Sequence, residues 1–360
     1  MRRVVAFSVL VGCSGTTPEP SAVDGIVVAA SDYSSSAVGA VALDGGSSLF
    51  VGFDLGKDPA LAASRGRAFF LARDEDTLFE LDTSTGKPKS RRSFFDPSLG
   101  FVSNPQDIAV APSGDLWIPL YNVPTLLVLG SGERRIDLSR FDSDGNPQAS
   151  AVRMLDINGV TKAFVTLERL DDLDMLRSKQ SSLVVRLDVA TEKVDGELEL
   201  EGRNPFGGLR EFGGVFFLAT PGNFDVSEES HAGIERMDPV ALTSRVIASE
   251  QALGGSVAEV AVTDHCGAAI VADATPNVNA TSLVTFDPDT GEVFVPASRS
   301  QLSTSGYDLR ALEWRDGVLL VGNWRESRVH VFDRVGTCGL RLREASIPLA
   351  QRPIALRSFR

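Results

Sequence analysis

The chain has 360 residues, of which 43% are hydrophobic and 23% charged, a composition that fits a folded globular protein and excludes wholesale disorder. Against 48 acidic residues stand 35 basic ones, a formal charge of −13 with no basic run, which argues against a nucleic-acid partner held by phosphate neutralisation. The 33 Gly and 18 Pro point to many turns.

In chain order, the first stretch is unlike the rest. "MRRVVAFSVLVGC" has two arginines, an apolar run from Val4 to Val11, then Gly12 and Cys13, which is the layout of a secretory signal. Leu10-Val11-Gly12-Cys13 also resembles the bacterial lipobox, in which cleavage precedes a lipidated cysteine. The expectation is therefore a signal peptide over 1–12, lipid on Cys13, a flexible tether over 13–23 and a folded domain over 24–360. A buried strand followed by a free thiol is the competing reading. No other stretch approaches the ~18 apolar residues of a spanning helix, so the protein is expected to be anchored by lipid in a bacterial cell envelope. In such an exported chain Cys266 and Cys338 form a candidate disulfide, with two separate buried thiols as the alternative.

From Asp24 onward one phrase recurs: an apolar run, a polar turn, a second apolar run ending in Asp, and a Gly-containing turn. It reads "IVVAASDYSSSAVGAVALDGG" first, then "AFFLARDEDTLFELDTSTG" around Asp82. It returns as "SLVVRLDVATEK" at Asp188, "AGIERMDPVALT" at Asp238, "SLVTFDPDTGEV" at Asp287 and "RVHVFDRVGTCG" at Asp333, and "TLLVLGSGE" is a degenerate copy with Gly130 in the Asp position. Between anchors lie hairpin phrases such as "NPQDIAVAPSGDLWIPLYN" and "YDLRALEWRDGVLLVGNW". A period of about 46 to 50 residues carrying four strands is that of a β-propeller blade, and seven anchors imply an all-β, seven-bladed propeller. The terminal "RPIALRSF" matches the opening strand of a blade, whereas the first blade begins with what is elsewhere a second strand. The C-terminal strand is expected to complete the first blade and close the ring.

The span from 134 to 180 is longer than its counterparts and reads as an insertion; within it, "LERLDDLDMLRSKQS" spaces Leu170, Leu173 and Leu176 as a short amphipathic helix or a charged loop would. With its blade phrases "LFELDTSTGK", "SLVVRLDVATEKV" and "SLVTFDPDTGEV", the chain resembles exported bacterial seven-bladed propellers of the YVTN-repeat and lactonase-like class, many of them lipoproteins. That resemblance implies the fold, and it covers both surface-binding proteins and a few enzymes.

In a propeller the blade-to-blade loops and the loops between second and third strands share one face, around the channel mouth. Reading those positions from the repeat gives Tyr33, Gln106, Tyr121, Asn122, Asn223, Asp273, Tyr307, Arg310, Asn323 and Trp324 as candidate ligand contacts, with Asp32, Asp74, Asn104, Asp107, Glu168, Asn204, Glu259, Asp308 and Arg352 at related positions. Aromatics beside amides suit sugar or peptide ligands, whereas many of the acids and amides also suit turn capping. Catalysis has thin support: His231, His265 and His330 lack evident partners, and no nucleophile elbow or phosphate loop is present. "DSDGN" places Asp142, Asp144 and Asn146 at the odd positions of a calcium loop, but Pro147 and Arg153 stand where that loop requires Gly and Glu. The reading is a monomeric, non-catalytic propeller that binds a protein, peptide or glycan without a cofactor, apart from possible calcium. The alternative is a lactonase-like or lyase-like enzyme using channel carboxylates and a divalent cation.

Overall fold

The computed structural model describes residues 25–43, 47–83, 85–224, 229–273 and 280–359. Seven antiparallel sheets form the fold, six of four strands and one of five, each following the meander expected of a blade. The expected signal, Cys13 and tether lie outside the described residues. No helix among the described residues is long and apolar enough to cross a membrane.

Burial runs outward from the axis as the sequence pattern dictates. Second strands such as Ile26–Ser31 and Cys266–Ala272 are buried throughout, because both faces pack on neighbouring blades. Outermost strands such as Glu133–Asp137 and Lys193–Glu199 alternate exposed and half-buried residues. The core is divided into seven clusters, each lying between two adjacent blades. One joins Ile26, Val28 and Val41 of the first blade to Leu320, Val329 and Ile347 of the last.

Four of the recurring aspartates cap the turn after a third strand: Asp82 accepts from the amide of Thr85, Asp188 from Thr191, Asp238 from Val240 and Ala241, and Asp287 from Asp289 and Thr290, whereas Asp333 lies within its strand and pairs with Arg341 and Arg343. Gly130 breaks the pattern because Asp115 fills the space: a Cβ at Gly130 would sit 2.1 Å from its carboxylate.

Pro353–Ser358 is the innermost strand of the first blade, pairing with Ile26–Ser31 from Ile26 opposite Ser358 to Ala30 opposite Pro353. The ring is thus closed by its own C-terminal strand. Cys266, which opens the second strand of the sixth blade, is bonded to Cys338 in the last turn of the seventh, with Cα atoms 5.0 Å apart. Much of the expected 134–180 insertion is ordinary blade strand, Ala149–Ile157 and Val160–Leu167 included. The added length lies in the loops at 142–148 and 168–182. The second is not a helix: Met175 and Leu176 have φ of 52° and 59°, left-handed values that end helical propagation, and Leu173 and Met175 are fully exposed.

Candidate channel-mouth site

The innermost strands carry two features that the repeat alone did not reveal. In five blades the ladder between first and second strands shifts register near its mouth end, at Ile354, Ser150, the segment from Gly207 to Leu209, Ala258 and Arg310. Each such bulge leaves a residue unpaired and re-aims it. Ile354, Ser150, Gly207, Gly208, Ala258 and Arg310 all line a cavity of about 460 Å³ at the mouth.

Deeper in the channel, six blades present a charged residue from the innermost strand or, for Asp107, from just before it: Asp107, Arg153, Arg210, Glu259, Glu313 and Arg357. Arg153 Nη1 lies 2.5 Å from Asp107 Oδ2. Arg210 pairs with Glu259 and, at 3.4 Å, with Glu313. Glu313 Oε1 also accepts from the amide of Ser358 at 3.0 Å and its hydroxyl at 2.6 Å, while Arg357 lies 3.7 Å from Glu259. Burial opposes the charge on Arg210, but Glu259 and Glu313 hold its pKa above the ordinary value. Burial pushes Arg357 down to about 10, with Arg210 adding to the effect. Three guanidinium groups and three carboxylates thus compensate one another and occupy the channel beneath the mouth.

Of the ten candidate contacts, Tyr33, Gln106, Tyr121, Tyr307 and Arg310 line the cavity, as do Asn104, Asp107, Glu168 and Glu259 from related positions. Trp324 stands beside it. Its ring is stacked by Arg310 at 4.6 Å and Arg352 at 4.1 Å, and its indole N–H donates to Ser31 O at 2.9 Å. The other four do not line it. Asn122 donates to Val102 O, and Asn223 accepts from the amide of Ser178. Asn323 is buried and accepts from the amide of Glu326, while Asp273 is exposed at the end of its strand. Capping also occupies Asp32, whose pKa falls to about 2 through hydrogen bonds from the Ser34 hydroxyl and the amides of Ser35 and Ser34. Asp74 accepts from the amides of Lys57 and Asp58.

Asp142 lies against Gln180 and Arg169, Asp144 caps the amide of Asn146, and Asn146 donates to Tyr121 O. No group of three or more His, Cys, Asp or Glu placed to hold a metal occurs among the described residues. None of the three histidines lines the cavity. His265 occupies a hairpin turn at the opposite end, and His330 lies in a strand of the seventh blade, where burial lowers its pKa.

One pair in the cavity has perturbed protonation. Tyr121 donates its hydroxyl to Glu168 Oε2 at 2.8 Å. Burial lifts Glu168 to about 7, and burial together with the Glu168 charge raises Tyr121 well above its ordinary value. Opposite them, Arg73 is held by Asp58 at 2.5 Å and Gln106 at 2.7 Å.

No protein-family model matches the sequence, and no curated protein does. Solved structures match in fold. A putative 6-phosphogluconolactonase from Bacteroides fragilis superposes with a TM-score of 0.59 at 11% identity, over 92% of this chain and 96% of that one. Hydrazine synthase of Kuenenia stuttgartiensis gives 0.56 at 12% identity, covering 82% and 87%. Virginiamycin B lyase from Staphylococcus aureus gives 0.53 at 9% identity, also covering 82% and 87%. The chain is a seven-bladed β-propeller with structural neighbours among lactonase-like and lyase propellers, and at these identities the likeness concerns the fold.

Proposed function

We propose that this protein is a non-catalytic recognition propeller, monomeric and held in a bacterial cell envelope by lipid on Cys13, that binds a protein, peptide or glycan through its channel mouth. The observation that carries this reading is the shape of the channel. An aromatic-rimmed cavity lies on one face, above charged groups already satisfied by one another. A rigid ring with a concave, mixed polar and aromatic surface is what ligand sites commonly use. The test is to probe peptide and glycan arrays with the protein and with mouth variants Tyr121→Phe and Gln106→Ala. A ligand whose binding falls in those variants but not in the opposite-face variant Arg334→Ala supports the reading; binding indifferent to the mouth variants overturns it. For the anchor, Cys13→Ser is expected to move the protein from the membrane to the soluble fraction, and unchanged retention defeats the lipid claim.

A second reading, a lactonase-like or lyase-like hydrolase, is favoured by Glu168, a buried carboxyl in the cavity with a pKa near the range for proton transfer. Turnover in a panel of lactones that is lost in Glu168→Gln would establish it. A calcium requirement in this version places Asp142, Asp144 and Asn146 under test. Calcium titration is then expected to raise the melting temperature, and a flat response removes the metal.

A further inference from the structure

Among the arginines that line the cavity, one lies without a carboxylate. Each of the other arginines lining the cavity lies close to an acid: Arg73 to Asp58, Arg153 to Asp107 and Arg357 to Glu259. Arg310 has no carboxylate within salt-bridge distance among the described residues. It is instead held rigidly, donating Nε to Tyr307 O at 2.8 Å and Nη1 to Tyr33 Oη at 2.7 Å. Its guanidinium carbon also lies 5.6, 5.1 and 4.6 Å from the ring centres of Tyr33, Tyr307 and Trp324. Nη2 has no acceptor among the described residues. Where the other bulged strands present Ser150, Gly208, Ala258 and Ile354, only the seventh blade presents a charge. In a chain of net charge −13, a preorganised, uncompensated guanidinium is a site for one negative group.

Beside it is an apolar slot of about 170 Å³ lined by Phe206, Phe224, Ala272 and Tyr307. Phe206 is 41% exposed and meets Phe224 edge to face at 5.3 Å. Tyr307 forms part of both the slot and the Arg310 cage, and Phe206 and Tyr307 also line the larger cavity, so charge and apolar surface adjoin.

We propose that the mouth recognises the free C-terminus of a peptide ending in an apolar residue, with the terminal carboxylate on Arg310 and the last side chain in the Phe206–Phe224 slot. This rests on the channel-mouth reading above and specifies its ligand. The chemistry favours such an end over a phosphate: of the arginines lining the cavity only Arg310 is unpaired, and one guanidinium matches a monoanion. Gln106 and Tyr121 also lie on the cavity wall, held there by Arg73, Asn104 and Glu168.

The test uses three fluorescein-labelled heptapeptides of one sequence: a free acid ending in phenylalanine, its C-terminal amide, and a free acid ending in serine. Fluorescence polarisation is expected to show the first binding about tenfold or more tighter than the other two, about 1.4 kcal/mol per tenfold. Arg310→Gln should abolish the acid–amide difference, and Phe224→Ala the phenylalanine–serine difference, each in a protein whose melting temperature confirms folding. Equal binding of acid and amide, lost in Tyr121→Phe, overturns carboxylate recognition while leaving the mouth as a binding surface. Binding unaffected by every mouth variant overturns both readings. The absence of saturable binding by any of the three peptides overturns the terminus proposal alone, since array ligands test the mouth independently.

Discussion

Glu168 shows how one side chain sets a pH response. Its pKa is raised in the fold to about 7, so the native state holds the proton more tightly than the unfolded chain does. Stability from this group is therefore complete at acidic pH and falls as pH rises from the ordinary carboxylate range through about 7. The full effect is on the order of 3 kcal/mol at 1.36 kcal/mol per pKa unit. Glu168→Gln is expected to flatten the dependence of melting temperature on pH between 5 and 8 and to raise it at pH 8, as a pH series by calorimetry would show. Arg210 gives the opposite kind of prediction. Arg210→Met leaves Glu259 and Glu313 buried without their shared partner, and removing one member of a buried ionic cluster costs about 3–5 kcal/mol. Denaturant titration should show that loss, and a value below 1 kcal/mol would mean that water or Arg357 compensates. Tyr33, Gln106, Tyr121, Tyr307 and Arg310 were legible as mouth residues because the repeat fixes which loops share a face. Arg210 and Arg357 were not assigned to the channel, although a charge recurs within otherwise apolar first strands. Side-chain direction there depends on a bulge, and a two-residue alternation cannot register it.

At the scale of the element, first strands with bulges and third strands ending in Asp explain why the blades were readable and their inner surface was not. The aspartate leaves a mark in sequence because a turn requires a particular side chain; a bulge needs only one extra residue of any type, as Ser150, Ala258 and Arg310 show. The same limit explains why the stretch from Leu170 to Leu176 could be read as either a short helix or a charged loop. Helical spacing was present, but the loop folds back through a bridge between Asp171 and Arg177 and buries only Leu170 of the three leucines. The Cys266–Cys338 bond ties two blades 72 residues apart in sequence. In the chain-entropy model a loop of that size contributes about 4 kcal/mol. Reduction, or the paired Cys→Ser variant, should lower the denaturation midpoint accordingly, with the far-ultraviolet spectrum unchanged below it.

For the whole molecule, the number of blades and the closing strand followed from periodicity because each blade must bury both faces on its neighbours, leaving a nearly regular repeat in sequence. Ligand chemistry did not follow, since loops vary freely once the ring is stiff. Closure is testable. Removing residues 352–359 deletes the innermost strand of the first blade and, with it, Leu356 from the interface between the first and last blades. It also deprives Glu313 of Ser358. Loss of a cooperative unfolding transition is expected, whereas deleting residues 14–21 should leave the melting temperature unchanged. A truncated ring that still melts sharply at the full-length temperature would refute closure as a stabilising device.

Closure also fixes which face of the ring carries its seam. The amide of Phe359 donates to Gly25 O at 3.0 Å, so the first and last described residues meet where other blades have the turn between their first and second strands, at the far end of the channel from Tyr33 and Arg310. Whatever holds the protein through residues preceding Gly25 grips it by the base. An attachment made at that seam leaves the mouth free, like a cup held by its foot. Had the ring been closed in a loop of the other face, the same attachment would have crowded the cavity.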